Sequence, residues 1–531
     1  MSQNQFKTRL ALSSAFSEIS RLWQDSSGIS LKNTSGSYIS FLSYCLIQEK
    51  NGNHLFILPD KEEALYFFND LENLFNSERG TTLLFYPASY RRPYQIMDSD
   101  ATSMLQRTEV LDALGKERKK LIVVTYPEAI VEKVIEKKNF EKNNLTISVG
   151  EELQLDLMDE ILIDLDFEKV DYVYEPGQFA IRGGIIDVFS FNYEMPYRVE
   201  LFGDEIESIR EFDPVNQLSV TTLNRIKIVP NINNISLSKD RVSFLEHLPK
   251  NTTLWAKDLE ISQKKMEQGF EIASKVYNKI KEKKSLLLPI EMYLSPLEFF
   301  NKIKEFKLLE WNRTVHEKES VIIDCNSVEQ PKFNKNFDIL VNSLEEWKNQ
   351  EYSIFICADQ DSQISRLRSI FMELDKEFLC SFITIGLHQG FIDHNEKVVV
   401  FTDHQIFERY HRFNSRKSVS KSKETFTLKE IYDLQKGDFV VHIDHGVGEF
   451  SGLEKIDVQG KQQEAIRLIY KGGDILYVSI HSIHRISKFS GKDGTKPSLN
   501  KLGSPAWSMA KQKAKKKIKE VAFDLIELYA K

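Results

Sequence analysis

Residues 28–47 read GISLKNTSGSYISFLSYCLI, a Gly/Ser turn set between a short apolar run and a longer one of helical length. The outline is that of a phosphate-binding loop opening a helix. In such a loop backbone N–H groups cradle phosphates, a Lys reaches the outer ones and a hydroxyl holds magnesium. Here Gly36 and Ser37 are followed by Tyr38 and Ile39. A phenol supplies no point charge and an isoleucine no metal ligand. Two readings stand: a nucleotide loop that has lost its chemistry, or an ordinary Gly/Ser turn before an apolar helix. The surrounding sequence has to choose between them.

Outward from this turn, strand and helix signals alternate: HLFILP (54–59) as a buried strand, DKEEALYFFNDLENLF (60–75) as a helix starting at Asp60, TTLLFYP (81–87) as a strand, and KKLIVVTYPEAIVEKV (119–134) as strand then helix. Alternation of this kind predicts a parallel sheet covered by helices. From about 147 to 220 the pattern changes to short strands and turns. QFAIRGGIIDVFSF (178–191) and YRVELFGDEIESIREF (197–212) read as hairpins, with Gly203-Asp204 as a tight turn. An α+β insertion is expected there, after which RIKIVP (225–230) is expected to rejoin the first sheet. ESVIIDC (319–325), YSIFICADQDSQISRLRSIF (352–371) and KVVVFTDHQIFERY (397–410) predict a second, small α/β domain. The stretch 436–486 is nearly continuous strand, with turns at Gly446, Gln459-Gly460 and Gly472-Gly473-Asp474, and predicts a small closed or half-closed barrel. Beyond it Ser504 is placed as an N-cap and Pro505 as the first residue of a helix. The apolar stripe of that helix, Trp507, Ile518, Val521, Ala522, Leu525 and Ile526, asks for a partner, so the chain is expected to be part of something longer.

Composition agrees with a multidomain globular chain. The 531 residues are 41% hydrophobic and 28% charged, enough for about three to five domains. No apolar run is long enough to span a bilayer and the N-terminus has no leader pattern, so a cytoplasmic protein is expected. Cys45, Cys325, Cys357 and Cys380 lack paired spacing and read as buried free thiols. The net charge of −7 gives no general attraction to nucleic acid, although 411–423 and 511–519 are basic islands. These two are read as a solvated linker and a solvated helix face.

Residues 177–214, GQFAIRGGIIDVFSFNYEMPYRVELFGDEIESIREFDP, resemble a signature shared by the nucleotide-excision protein UvrB and the Mfd family of transcription-repair coupling factors. GDFVVHIDHGVGEFSGL (437–453) and LYVSIHSIHRISKFSG (476–491) resemble the CarD-like RNA-polymerase-interacting domain of that family, which UvrB lacks. The helix 501–530 resembles the one leading into the family's motor. The resemblance implies a multidomain α/β chain: a UvrB-like degenerate phosphate-loop domain in two parts (1–135 and 221–317), a UvrA-binding-like α+β insertion (136–220), a small α/β domain of unassigned role (318–410), a basic linker (411–427), an SH3/Tudor-like barrel (428–490), and a linker with a helix (491–531). It implies that Gly36, Ser37, Tyr38 and Ile39 are an inactive relic. It also implies that this portion is non-catalytic and needs no cofactor, ATP and magnesium belonging to a motor outside it. The stretch after LLFYPASYRRPY (83–94) is too short for the DNA-inserting hairpin of UvrB. The implied partners are UvrA and the β subunit of RNA polymerase, with DNA held mainly by the motor, no membrane, and a monomeric state.

Site residues follow on the same basis. In the strand YRVELF, Arg198, Glu200 and Phe202 share one face while Tyr197, Val199 and Leu201 share the other. The resemblance makes the first set, with Arg182, the UvrA-binding surface. Ala180 departs from the family's arginine. For the polymerase, the segment 464–480 carries Ile466, Leu468 and Tyr470 on one face and Arg467 and Ile469 on the other. One set must fill the barrel, and contact is expected by strand addition, with Ile466 and Arg467 nearest the partner. The pairs His442/His445 and His481/His484 are spaced H-x-x-H, but positions i and i+3 on a strand point to opposite faces, so no metal is expected. Asp359 and Asp361 are read as a loop capping the next helix.

Overall fold

The computed structural model describes residues 13–407 and 436–509 apart from short stretches, chiefly 24–27, 90–100 around Tyr94, 117–119, 231–240, 281–286, 313–320, 480–485 and 490–496. The chain divides into two compact units, 1–415 and 416–531.

The first unit is built on a seven-stranded parallel sheet in the spatial order Val321–Asp324, Gly28–Lys32, Lys307–Trp311, Thr253–Lys257, Gly52–Ile57, Lys120–Thr125, Thr81–Phe85. Leu55–Ile57 and Leu121–Val124 are buried without interruption, the pattern of strands covered on both faces. The helix Lys61–Phe75 starts where its sequence predicts, the Asp60 carboxylate accepting from the Glu63 amide at 2.9 Å.

Two strands found partners other than those expected. Arg225–Ile228 does not rejoin the parallel sheet but pairs antiparallel with Leu145–Ser148. Val321–Asp324 does not enter the second α/β domain; it pairs parallel with Ile29–Lys32. There it covers main-chain groups that would otherwise form an open sheet edge.

The insertion is a six-stranded sheet in the order Ser219–Leu223, Glu205–Phe212, Tyr197–Phe202, Ile185–Val188, Gln178–Arg182, Glu168–Lys169. Gly203, with φ +64°, makes the tight turn its hairpin needs. One face packs Phe179, Ile186, Val199 and Ile209 with Met158 and Leu162 of the helix Leu155–Asp164.

The third domain has a five-stranded mixed sheet, Ser327–Glu329, Phe391–Asp393, Val398–Thr402, Ser353–Ala358, Ser381–Thr384. Side-chain alternation splits its strands between two cores. Ile354, Ile356 and Ala358 pack with Leu340, Leu344, Leu367 and Phe371 of the domain's own helices. Phe355, Cys357, Ile383, Phe391 and Val400 join the core of the first domain.

The second unit holds a five-stranded antiparallel sheet, Ile475–Ser479, Lys461–Ile469, Gly446–Val458, Phe439–His442, Ile486–Lys488. Val440, Phe450, Ile466, Leu468, Tyr470, Val478 and Ile486 fill its core. Among the described residues no helix is long and apolar enough to cross a membrane.

Candidate functional site

Gly36 and Ser37 do form a turn after a strand, and Tyr38 and Ile39 begin the helix Tyr38–Glu49. Yet the place where phosphates would lie is filled by protein. The Ser37 amide donates to the Gln389 carbonyl at 3.1 Å, and the Gln389 amide donates to Ser37 Oγ, also at 3.1 Å. Gly36 has φ +55°, and a Cβ there would stand 2.4 Å from the Gly390 carbonyl oxygen, so glycine is required both for its conformation and for this close approach. Tyr38 is buried and meets Phe391 edge-on at 5.5 Å, and burial pushes its phenol up. The residues present do not fit a nucleotide.

Beneath the turn lies Asp70, buried in the helix Lys61–Phe75. Its carboxylate accepts from the His388 amide at 2.7 Å and from Ser40 Oγ at 3.1 Å. Burial pushes this carboxyl up to about 7, against hydrogen bonds from Ser37, His388 and Ser40 that favour the ionised form; the nearby Asp359 carboxylate adds to the rise.

In the insertion, Arg182 and Arg198 do not stand free for a partner. Both converge on Asp187, whose side chain is 0% exposed. Arg198 lies opposite Asp187 in strand register and forks onto it, Nε to Oδ1 at 2.7 Å and Nη2 to Oδ2 at 2.9 Å. Arg182 binds Oδ2 through Nη2 and donates from Nη1 to the Asp171 carbonyl at 2.5 Å. The two guanidinium groups also lie over the rings of Phe212 (Arg198, 4.4 Å) and Tyr172 (Arg182, 4.7 Å). Glu200 is paired with Arg210 and accepts from Ser208 Oγ. Phe202 is different: at the hairpin tip it is 81% exposed. Leu218 and Val220, on and beside the outermost strand of the same sheet, are also exposed.

In the second unit the division of faces is resolved. Ile466, Leu468 and Tyr470 are core residues, each at most 1% exposed. Their side chains cannot reach a partner without unfolding the sheet. Arg467 points outward and donates to Glu454 Oε1 at 2.6 Å, while Tyr477, opposite it in register, donates to Glu454 Oε2 at 2.9 Å. These two bonds, Arg467 first, hold the Glu454 carboxyl below its usual range. Ile469 and Ile475 extend the same outer face. Residues 465–469 are paired on both sides, so the free edge within this segment is Ile475–Ser479.

His442 and His445 correct the expectation of opposite faces. The strand ends at His442, and the turn brings the His445 ring to 4.7 Å from it, centroid to centroid. His442 Nδ1 accepts from the Asp444 amide at 3.1 Å. No group of three or more His, Cys, Asp or Glu able to hold a metal is found among the described residues. His481 and His484 lie outside those residues, as do the basic islands, the Gln459-Gly460 turn, and most of 86–100 and 510–531. Asp361 opens the helix Asp361–Glu373 and accepts from Thr384 Oγ1 at 2.5 Å. Cys45, Cys325 and Cys357 are buried free thiols and Cys380 is partly buried; burial pushes Cys325 and Cys380 up to about 12.

Sequence reasoning passed over Asp187 and Asp70. Asp187 breaks an apolar run, IIDVF, directly after the Arg-Gly-Gly turn, and that was its signal. Asp70 had none, because in NDLENL it reads as one more polar residue on an outer helix face.

Two family models fall on one multidomain polypeptide, one over the insertion and one over the sheet of the second unit. Residues 145–233 match the UvrB interaction domain and residues 434–490 the CarD-like/TRCF RID domain. The chain is similar to the transcription-repair-coupling factors. It is 25% identical to that of Bacillus subtilis (strain 168), over 94% of this chain and 48% of the relative, and 24% identical to that of Staphylococcus aureus (strain USA300), over 90% and 46%. The chain thus spans about half the length of the curated relatives it matches.

Proposed function

We propose that this chain is the N-terminal adaptor portion of a bacterial, cytoplasmic transcription-repair coupling factor. It binds the β subunit of a stalled RNA polymerase through the sheet of 436–488, an SH3/Tudor-like barrel, and recruits UvrA through the insertion. The portion is non-catalytic and needs no cofactor of its own; the ATP-driven translocase belongs to the remainder of the protein. The observation that carries this reading is the pairing of the two domain matches, UvrB interaction and CarD-like/TRCF RID, in one chain and in that order. Within the insertion the accessible apolar anchor is Phe202, exposed at the tip of its hairpin. Polymerase contact uses the free edge Ile475–Ser479 and the outward row Arg467, Tyr477 and Glu454, main-chain bonds supplying affinity and the row specificity. A nucleotide-dependent DNA enzyme is not favoured, because Tyr38 and Ile39 stand at the phosphate loop and Gln389 holds the Ser37 amide.

The test is equilibrium binding of the chain to purified UvrA and, separately, to the polymerase β subunit. Phe202→Ala is expected to weaken the first alone and Arg467→Ala the second alone. A parent chain that captures neither protein overturns the reading.

A further inference from the structure

A phosphate loop that had merely decayed would leave a wet hollow, with the first amides of its helix turned to solvent. This one is filled, and every part of the filling comes from one short loop of the third domain. The Gly386 carbonyl accepts from Asn73 Nδ2 at 3.0 Å. His388 gives its amide to Asp70 and stacks its ring on Tyr66 at 3.7 Å. Gln389 exchanges two hydrogen bonds with Ser37, and Gly390 closes over Gly36. Phe391 packs on Tyr38 and Phe41 at 5.5 and 5.8 Å.

We propose that the loop 386–391 is a built-in ligand of the former phosphate loop, and that the third domain serves to occupy that site and fasten itself to the first domain there. The chemistry is substitution. A carbonyl oxygen of Gln389 takes the place of a phosphate oxygen on the amide that opens the helix. Tyr38, the first residue of the helix, supplies an aromatic surface for Phe391 where a phosphate-binding turn would present charge. Asp70, which would repel a triphosphate, is an acceptor for the loop's own amide. Loop and nucleotide therefore exclude each other, and the aromatic residue that begins the helix favours the loop.

Hydrogen exchange on the whole chain, followed peptide by peptide, tests this without any partner, so its outcome is read separately from the adaptor function. In the parent, peptides covering 386–391 are expected to be protected. Ser37→Ala, which removes the acceptor for the Gln389 amide, and Tyr66→Ala, which removes the ring under His388, are each expected to speed their exchange roughly tenfold. The strand Ser353–Ala358 keeps its protection in both and reports that the third domain remains folded; if one variant loses it, the other is read. Exchange of 386–391 at open-loop rates in the parent overturns the proposal, as does protection unchanged by a folded variant.

Discussion

In the insertion and in the second unit's sheet alike, an arginine on one strand meets a carboxylate on a neighbouring one. Arg198 and Asp187 lie inside the insertion; Arg467 and Glu454 lie on the outer face of the second unit's sheet. The charged groups are the same, guanidinium and carboxylate, and the roles differ. Asp187 is enclosed, so its charge is tolerated only because two guanidinium groups hydrogen-bond it. Glu454 is open to water and shares its bonds with a tyrosine that is itself 41% exposed. An ion pair that holds a fold and one that is available to a partner are thus told apart by burial, not by composition.

The sharpest way to break this comparison is Arg198→Ala. Leaving a buried carboxylate short of its main partner is expected to cost about 3 kcal/mol or more, read as a drop in denaturation midpoint. A loss of UvrA binding with that variant would report unfolding of the insertion, and a variant as stable as the parent would refute the buried clamp. Leu468→Ala is expected to cost about 3 kcal/mol by opening a cavity in the sheet's core, and chemical denaturation will show it as a transition that begins earlier.

A smaller effect is expected at Asp70. Its carboxyl is raised in the folded state, so the native chain binds more protons than the unfolded one between the ordinary carboxylate range and about pH 7. Stability from this group is therefore full in acid and falls as pH rises through that window. Asp70→Asn, facing the same Ser37, Ser40, His388 amide and Asp359, should flatten that part of the curve of melting temperature against pH. The smallest change in stability is expected for Phe202→Ala and Arg467→Ala, whose melting temperatures should match the parent's. Their effect should appear in titrations with UvrA and with the β subunit, respectively.

Much of the fold was legible because it is written locally. Asp60 opens a helix where an N-cap aspartate precedes an apolar 3.6-residue period, and Gly203 turns a hairpin between two alternating runs. The failures share one cause. RIKI and VIID were correctly read as strands but assigned to the wrong neighbours, because a strand's period states which way its side chains point and nothing about which edge it joins. The face of the second unit's sheet was left open for the same reason: Ile466 and Arg467 alternate equally well in either orientation until the core is assembled.

The sequence by itself determined that residues 28–47 are a strand, a glycine turn and a buried helix, and that the phosphate-reaching lysine is missing from the turn. Those facts rest on backbone conformation and side-chain chemistry, which travel with each residue. Only the tertiary structure decided that Gln389, some 350 residues away, fills the turn, and that the arginines of the insertion serve Asp187 before any partner. Burial and hydrogen-bond partnership are properties of what the chain brings together. A charge or an amide acquires its role only when its surroundings have displaced water.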